Sequence, residues 1–392
     1  MVLYLRVAAM VLLAVNVVAG ANESASVCRL RCEYLTNPLG IDVTEPRLSW
    51  IVESGERGVR QAAYRIIVSS SLYNLINNIG DLWDTGKIQS DRSVHIVYRG
   101  KALQTGVRCY WKVRVWCNKG RATDYSEPAW WEMGLLKPGD VKARWISVVH
   151  REGTKPGRGE PSPCFRKSFI LSKSVKSARA YVCGLGYYEL YLNGRKVGDH
   201  VLDPAFTRYD RRVLYVTYDI TDRLKEGENA VGALLGNGWY NLDKQASRRF
   251  HQAPWRGWPT LWLQIGIEYA DGTSEVVISD ETWKVTKGPV IFNVIHSGET
   301  YDARLEKPGC FDARYEESDW DRIQVCRGPG GRLSSQMLTP IKVMESISPV
   351  KLTEPSPGVF VYDMGRHLAG WARIKVSGPA GTKVVLRYAE RL

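Results

Sequence analysis

The sequence predicts an all-β protein of tandem β-sandwiches: a fibronectin- or immunoglobulin-like sandwich, then a jelly roll, then an incomplete third sandwich. Three observations predict this. Apolar residues alternate with polar ones at a period of two along much of the chain, turn signals built from Gly, Asn, Asp and Pro recur between those runs, and neither a long amphipathic helix nor an internal repeat is found. The 392 residues suit roughly two to four domains with separate cores. A hydrophobic share of 44% and a charged share of 24% are those of a folded chain rather than a disordered one.

At the start, Arg6 precedes an uncharged apolar run, Val7 to Val18, and the small residues Ala19, Gly20 and Ala21 follow. That is the pattern of a cleaved secretory signal peptide over residues 1–21. The run falls short of the roughly 20 residues a bilayer span needs. No later segment is long and apolar enough, so no stable membrane span is expected, and the mature protein is expected to be secreted or periplasmic.

The first sandwich is expected over residues 28–137. Within it Tyr64, Ile66 and Val68 share one strand face, and Trp111, Val113 and Val115 oppose Lys112 and Arg114 on another strand. Asn37-Pro38 and Asn118-Lys119-Gly120 mark turns. A polar, Gly- and Pro-rich loop, Arg151 to Pro163, lies near the start of the second domain, expected over residues 140–327. Its clearest element is a hairpin from Ala178 to Val197, turning at Asn193-Gly194, whose tolerance of positive φ suits a type I′ turn. Strands are expected at Val213–Tyr218, Ala230–Leu235, Leu261–Tyr269 and Ser274–Ser279, with Asp271-Gly272 turning the last pair. After Gly328-Pro329-Gly330-Gly331, strands at Ile341–Met344, Val359–Tyr362, Trp371–Val376 and Lys383–Tyr388 would begin a third, truncated sandwich over residues 335–392.

Charge and cysteine usage exclude several classes. The formal net charge of +13 is spread along the chain and interleaved with acids, with no recognition motif, so nucleic acid is not expected as a partner. The eight cysteines include no C-x-x-C pair and the six histidines are scattered, which argues against zinc. Cys109 and Cys117 end one strand and are too far apart to bridge each other; other pairings stay open.

Several segments resemble the bacterial α-L-rhamnosidases. They include Leu35-Thr36-Asn37-Pro38-Leu39-Gly40, Pro46-Arg47-Leu48-Ser49-Trp50, Leu82-Trp83-Asp84-Thr85-Gly86 and Tyr110-Trp111-Lys112-Val113. Further on come Gly184-Leu185-Gly186-Tyr187-Tyr188, Pro204 to Arg212, Gly236-Asn237-Gly238-Trp239-Tyr240, Tyr362-Asp363-Met364-Gly365 and Ala369-Gly370-Trp371. The resemblance spans nearly the whole mature chain in the family's order. It implies a protein that releases terminal α-L-rhamnose from glycans by inversion, a reaction using two carboxyl groups roughly 6.5–9.5 Å apart. In the family those acids lie in an (α/α)6 barrel, which no segment here matches, so no catalytic residue is assigned and the missing barrel is the expected partner of these domains.

The resemblance also implies a rhamnose site in the second domain, assisted by calcium, which takes oxygen ligands. Asn193 and Asn241 are the candidates for calcium, and Asn237, Trp239, Trp255 and Trp258 for sugar, because pyranose faces stack on aromatic rings. Asn193 and Asn237 are equally explained by the turns they occupy. Trp262 reads as core, whereas Trp255 and Trp258, in the loop from His251 to Pro259, are expected to be exposed. Two other readings stay open: a complete non-catalytic carbohydrate-binding or adhesion protein, and a spacer without ligand.

Overall fold

The computed structural model describes residues 25–390 apart from 119, 121, 151–159 and 243–251. The expected signal peptide over 1–21, most of the polar loop over 151–163, the centre of the turn at Lys119 and the start of the loop at His251 lie outside the described residues. The described chain divides into two compact units. The first gathers residues up to 38 with 45–102 and 107–131, and the second gathers 39–44, 103–106 and everything from 132 onward.

Eight strands build the sheets around the first unit: β1 (Ser26–Cys32), β2 (Arg47–Glu53), β3 (Gln61–Ser69), β4 (Trp83–Asp84), β5 (Ile88–Gln89), β6 (Ile96–Val97), β7 (Arg108–Cys117) and β8 (Ala129–Glu132). One sheet has the order β1-β2-β6 and the other β4-β3-β7-β8, with β5 also on β3. A five-residue helix, α1 (Leu72–Ile76), is capped by the Ser71 hydroxyl, which accepts from the Asn74 N–H at 3.1 Å. Alternation decides what is buried. Tyr64, Ile66 and Val68 pair across with Val115, Val113 and Trp111, all buried, while Arg65 and Arg114 face each other on the opposite side.

The second unit continues with β9 (Ile146–Val148), β10 (Pro163–Leu171), β11 (Val175–Leu185), β12 (Tyr187–Leu192), β13 (Arg195–Lys196), β14 (Arg212–Asp219), β15 (Gly227–Gly236), β16 (Thr260–Tyr269) and β17 (Ser274–Ile278). Then follow β18 (Lys284–Lys287), β19 (Val290–Val294), β20 (Gly298–Tyr301), β21 (Asp321–Val325), β22 (Arg332–Ser335), β23 (Lys351–Ser356) and β24 (Val359–Asp363). One path runs β13-β12-β15-β10-β18-β21-β9-β16-β11-β14-β22, with β17 on β16. Its two ends share one core: Phe165, Leu190 and Ala233 from one half pack with Val182, Val216, Leu263 and Ile265 from the other. This is a sandwich, as the alternation predicts.

The hairpin turn forms at Asn193 and Gly194 with φ of 50° and 77°, the conformation a type I′ turn needs. Residues 39–44 also belong to this unit. Ile41 pairs with Met133, and the Ser335 hydroxyl and N–H donate to the Gly40 carbonyl at 2.6 Å and the Asp42 carboxylate at 3.0 Å. A Cβ on Gly40 would lie 2.1 Å from the Thr217 hydroxyl oxygen, so the approach requires glycine.

The third sandwich is incomplete, as expected, but has fewer strands than the alternation predicts. Only the hairpin of β23 and β24 forms; 371–376 and 383–388 are not strands, and Ile341–Met344 contributes a single bridge between Lys342 and His200. The reason is physical. A strand needs a neighbour for its backbone groups and a facing layer for its apolar side chains, and here Trp371 and Val385 are 57% and 60% exposed.

Candidate functional site

The strongest concentration of aromatic and amide side chains lies in the second unit, where β12 and β15 begin and end. Two turns meet there because both are stripped of side chains: a Cβ on Gly186 would lie 2.0 Å from the Asn237 carbonyl oxygen and 2.7 Å from the Gly238 Cα. That approach positions Asn237 and Trp239 at the end of β15. Phe206, 42% exposed, sits among Trp239, Tyr209 and Trp255, with ring centroids 5.5, 5.7 and 6.3 Å away. His296 meets Trp239 edge-on at 5.6 Å, and Tyr240 meets Tyr209 edge-on at 5.4 Å.

An amide chain runs beside the rings. The Asn237 N–H and side-chain amide donate to the Asn293 side-chain and backbone oxygens at 2.7 and 2.9 Å, and the Asn241 amide donates to the Asn237 side-chain oxygen at 2.8 Å. Three buried polar atoms around this cluster have no hydrogen-bond partner among the described residues: the Asn241 side-chain oxygen, the Trp255 indole N–H and the Tyr209 hydroxyl. Asn241 is only 3% exposed. Such orphans cost about 1–3 kcal/mol each, and a bound molecule with matching donors and acceptors recovers that cost.

The structure therefore brings together Asn237, Asn241, Trp239 and Trp255, but not the other two candidates. Trp258 stacks on His150 with centroids 4.1 Å apart and rings inclined by 14°. Neither loop tryptophan stands exposed; both are half-buried, because each indole found an aromatic partner, and Gly257 packs its backbone against Tyr240. Asn193 is consumed by its turn: its amide donates to the Arg223 carbonyl and the Asn229 side-chain oxygen, both at 2.9 Å, and its oxygen accepts from the Ala230 N–H at 2.9 Å. Calcium does not fit well here. Among the described residues no group of three or more His, Cys, Asp or Glu converges, and the oxygen that the Asn241 amide meets is itself an amide oxygen, poorer in charge than calcium's usual shell. Trp262 and Trp283 are core.

Other chemistry is weaker. All eight cysteines are unpaired, and burial pushes the Cys109 and Cys164 thiols up to about 12, which leaves them inert. Burial and the nearby Glu189 raise the Glu299 carboxyl. Burial alone would raise Glu189 too, yet Lys196 at 2.5 Å and the Tyr191 hydroxyl at 2.7 Å hold it below its ordinary value, so it is a committed ion-pair partner rather than a free base. In the first unit a cavity of about 440 Å³ is lined by Trp83, Ile88, Arg92, His95 and Arg99 among others, and it opens broadly to solvent.

Three family models match the chain: the α-L-rhamnosidase N-terminal domain over 173–345, the Rha78A-like N-terminal immunoglobulin domain over 27–137, and the bacterial α-L-rhamnosidase concanavalin-like domain over 353–392. The chain belongs to the bacterial α-L-rhamnosidase family, through its N-terminal domains. An α-L-rhamnosidase of Formosa agariphila is 37% identical over 380 residues, covering 91% of this chain and 40% of that protein. Among solved structures, the α-L-rhamnosidase of Dictyoglumus thermophilum superposes with a TM-score of 0.79 at 39% identity, over 87% of this chain and 38% of the other. That of Streptomyces avermitilis, solved in complex with L-rhamnose, gives 0.80 at 26%, over 87% and 49%. The chain thus spans two fifths to half the length of these α-L-rhamnosidases.

Sequence reasoning missed Phe206, Tyr209, His296 and Asn293. The first two lie inside the family-like stretch Pro204 to Arg212 and could have been weighed there. His296 and Asn293 sit in no motif, and only the fold brings them near Trp239.

Proposed function

We propose that this chain is the N-terminal part of a secreted α-L-rhamnosidase, and that its second unit binds rhamnose-terminated glycan at the Phe206, Trp239 and Trp255 cluster without itself cleaving it. The observation that carries the reading is the set of orphaned polar atoms, Asn241 oxygen, Trp255 N–H and Tyr209 hydroxyl, beside partly open aromatic rings. A sugar presents what that set lacks: C–H faces for the rings and hydroxyls that both donate and accept. The match to the family's N-terminal, immunoglobulin and concanavalin-like models supports an accessory role. The apolar run Val7 to Val18 supports export, and no helix among the described residues is long and apolar enough to cross a membrane.

The test is one sample carried through two assays: release of p-nitrophenol from p-nitrophenyl α-L-rhamnopyranoside, and calorimetric titration of L-rhamnose with and without calcium. Binding without release is expected, and independent of calcium. Enzyme-dependent release would overturn the accessory reading and direct attention to Glu299, through Glu299→Gln. Absence of both signals would leave a scaffold.

A further inference from the structure

The outer face of the β3–β7 pair carries a second concentration of charge and aromatic rings, separate in composition from the Trp239 cluster. Strand alternation puts Arg108, Tyr110, Lys112, Arg114 and Trp116 on the side of β7 opposite its core residues, and Arg65 of β3 stands directly across from Arg114. Like charges so placed repel. The cations lie over rings: Lys112 Nζ is 4.5 Å and Arg114 Cζ 4.3 Å from the Tyr125 centroid, Arg108 Cζ is 4.3 Å from that of Trp130, and Lys87 Nζ is 4.6 Å from that of Trp116.

Among the described residues, counter-charge beside Lys112 and Arg114 is scarce. Asp84, across β3, is taken by Arg65 through both oxygens, at 2.9 and 2.6 Å. Among the described residues Lys112 has no acidic partner although it is only 7% exposed, and the buried Arg114 Nε and Tyr125 hydroxyl have no hydrogen-bond partner there either. Burial, and then Arg114 and Arg65, hold the Lys112 ammonium below its ordinary value. A nearly buried ammonium without a counter-ion is unfavourable unless something anionic completes it.

We propose that this face binds an acidic polysaccharide, whose carboxylate or sulfate groups seat on Lys112 and Arg114. Tyr125, Trp116 and Trp130 each carry a cation over the ring, so this face offers charge first, and the spaced anionic groups of such a polymer complement it. Polyanion recognition follows from this face alone; the choice of a polysaccharide as the polyanion rests on the glycan reading above.

The experiment is calorimetric titration of the full chain with polygalacturonate, dextran sulfate, neutral dextran and a single-stranded oligonucleotide. Polygalacturonate or dextran sulfate is expected to bind, the better of the two telling carboxylate from sulfate, and to weaken about tenfold or more between low and physiological salt. Lys112→Met with Arg114→Gln is expected to lower that affinity about tenfold while unfolding stays cooperative and the L-rhamnose titration is unchanged. The exposed Lys87→Gln gives a smaller loss in the same direction, without disturbing a buried position. Binding of neither acidic polymer, equal affinity in all variants, or preference for the oligonucleotide would overturn the proposal. Loss of L-rhamnose binding with polyanion binding intact would overturn only the earlier reading.

Discussion

The two units use the same residue types to opposite effect. In the first, Tyr125, Trp116 and Trp130 lie under Lys and Arg side chains on the outer face of a sheet, so the rings hold charge in place. In the second, Phe206, Trp239, Trp255 and Tyr209 pack on one another where two turns meet, and the Trp255 N–H and Tyr209 hydroxyl have no hydrogen-bond partner among the described residues. Aromatic content alone therefore says little about ligand. What surrounds the ring decides, and the two environments point to an anionic polymer in one case and a neutral sugar in the other.

The sharpest way to probe this contrast is within one strand. Trp111, on the inner face of β7, is fully buried, whereas Trp116, on the outer face, is half-buried. Trp111→Ala is expected to cost about 3–5 kcal/mol of stability in denaturant unfolding, and Trp116→Ala less than about 1 kcal/mol. A similar cost for both would erase the distinction between core and ladder. In the second unit, Gly186→Ala forces a Cβ against the Asn237 carbonyl; a loss of about 1–3 kcal/mol is expected, with rhamnose binding abolished. Trp239→Ala should lower rhamnose affinity about tenfold by calorimetry and leave polyanion binding untouched.

The smallest expected effect has the most informative sign. Lys112→Met is expected to raise stability by about 1 kcal/mol at neutral pH, because it removes a buried charge that has no acidic partner among the described residues. The folded-state value of Lys112 lies below the unfolded one, so the unfolded chain binds more protons between the two and the parent gains stability as pH rises through that window. The advantage of Lys112→Met should accordingly shrink as pH approaches 10.5, the ordinary lysine value. A constant difference across pH in thermal melts would mean that Lys112 is neutralised by a group other than those described.

What was legible in the sequence was local. The alternation of Tyr110 to Trp116, the Asn193-Gly194 turn and the Asp271-Gly272 hairpin each follow from a few adjacent residues, and each is where strand pairing places it. Asn237, Trp239 and Trp255 could be nominated because turn residues and tryptophans are conspicuous. His296 and Asn293 could not, since their roles arise from contacts dozens of residues apart that only the sandwich creates. The strands expected at Trp371–Val376 and Lys383–Tyr388 failed for the complementary reason: alternation specifies a face but cannot supply the layer that covers it.

Residues 39–44 bear on how such proteins are inherited. Family resemblance assigns them to the immunoglobulin domain over 27–137, yet their contacts with Met133, Thr217 and Ser335 make them part of the next compact body. A recombination breakpoint near residue 137 would separate Gly40 from the threonine it must touch, and a grafted neighbour with any other residue at that position would clash. The front domain is thus no interchangeable cassette, and lineages that reshuffle it are expected to carry the Gly40 segment along with the jelly roll it serves.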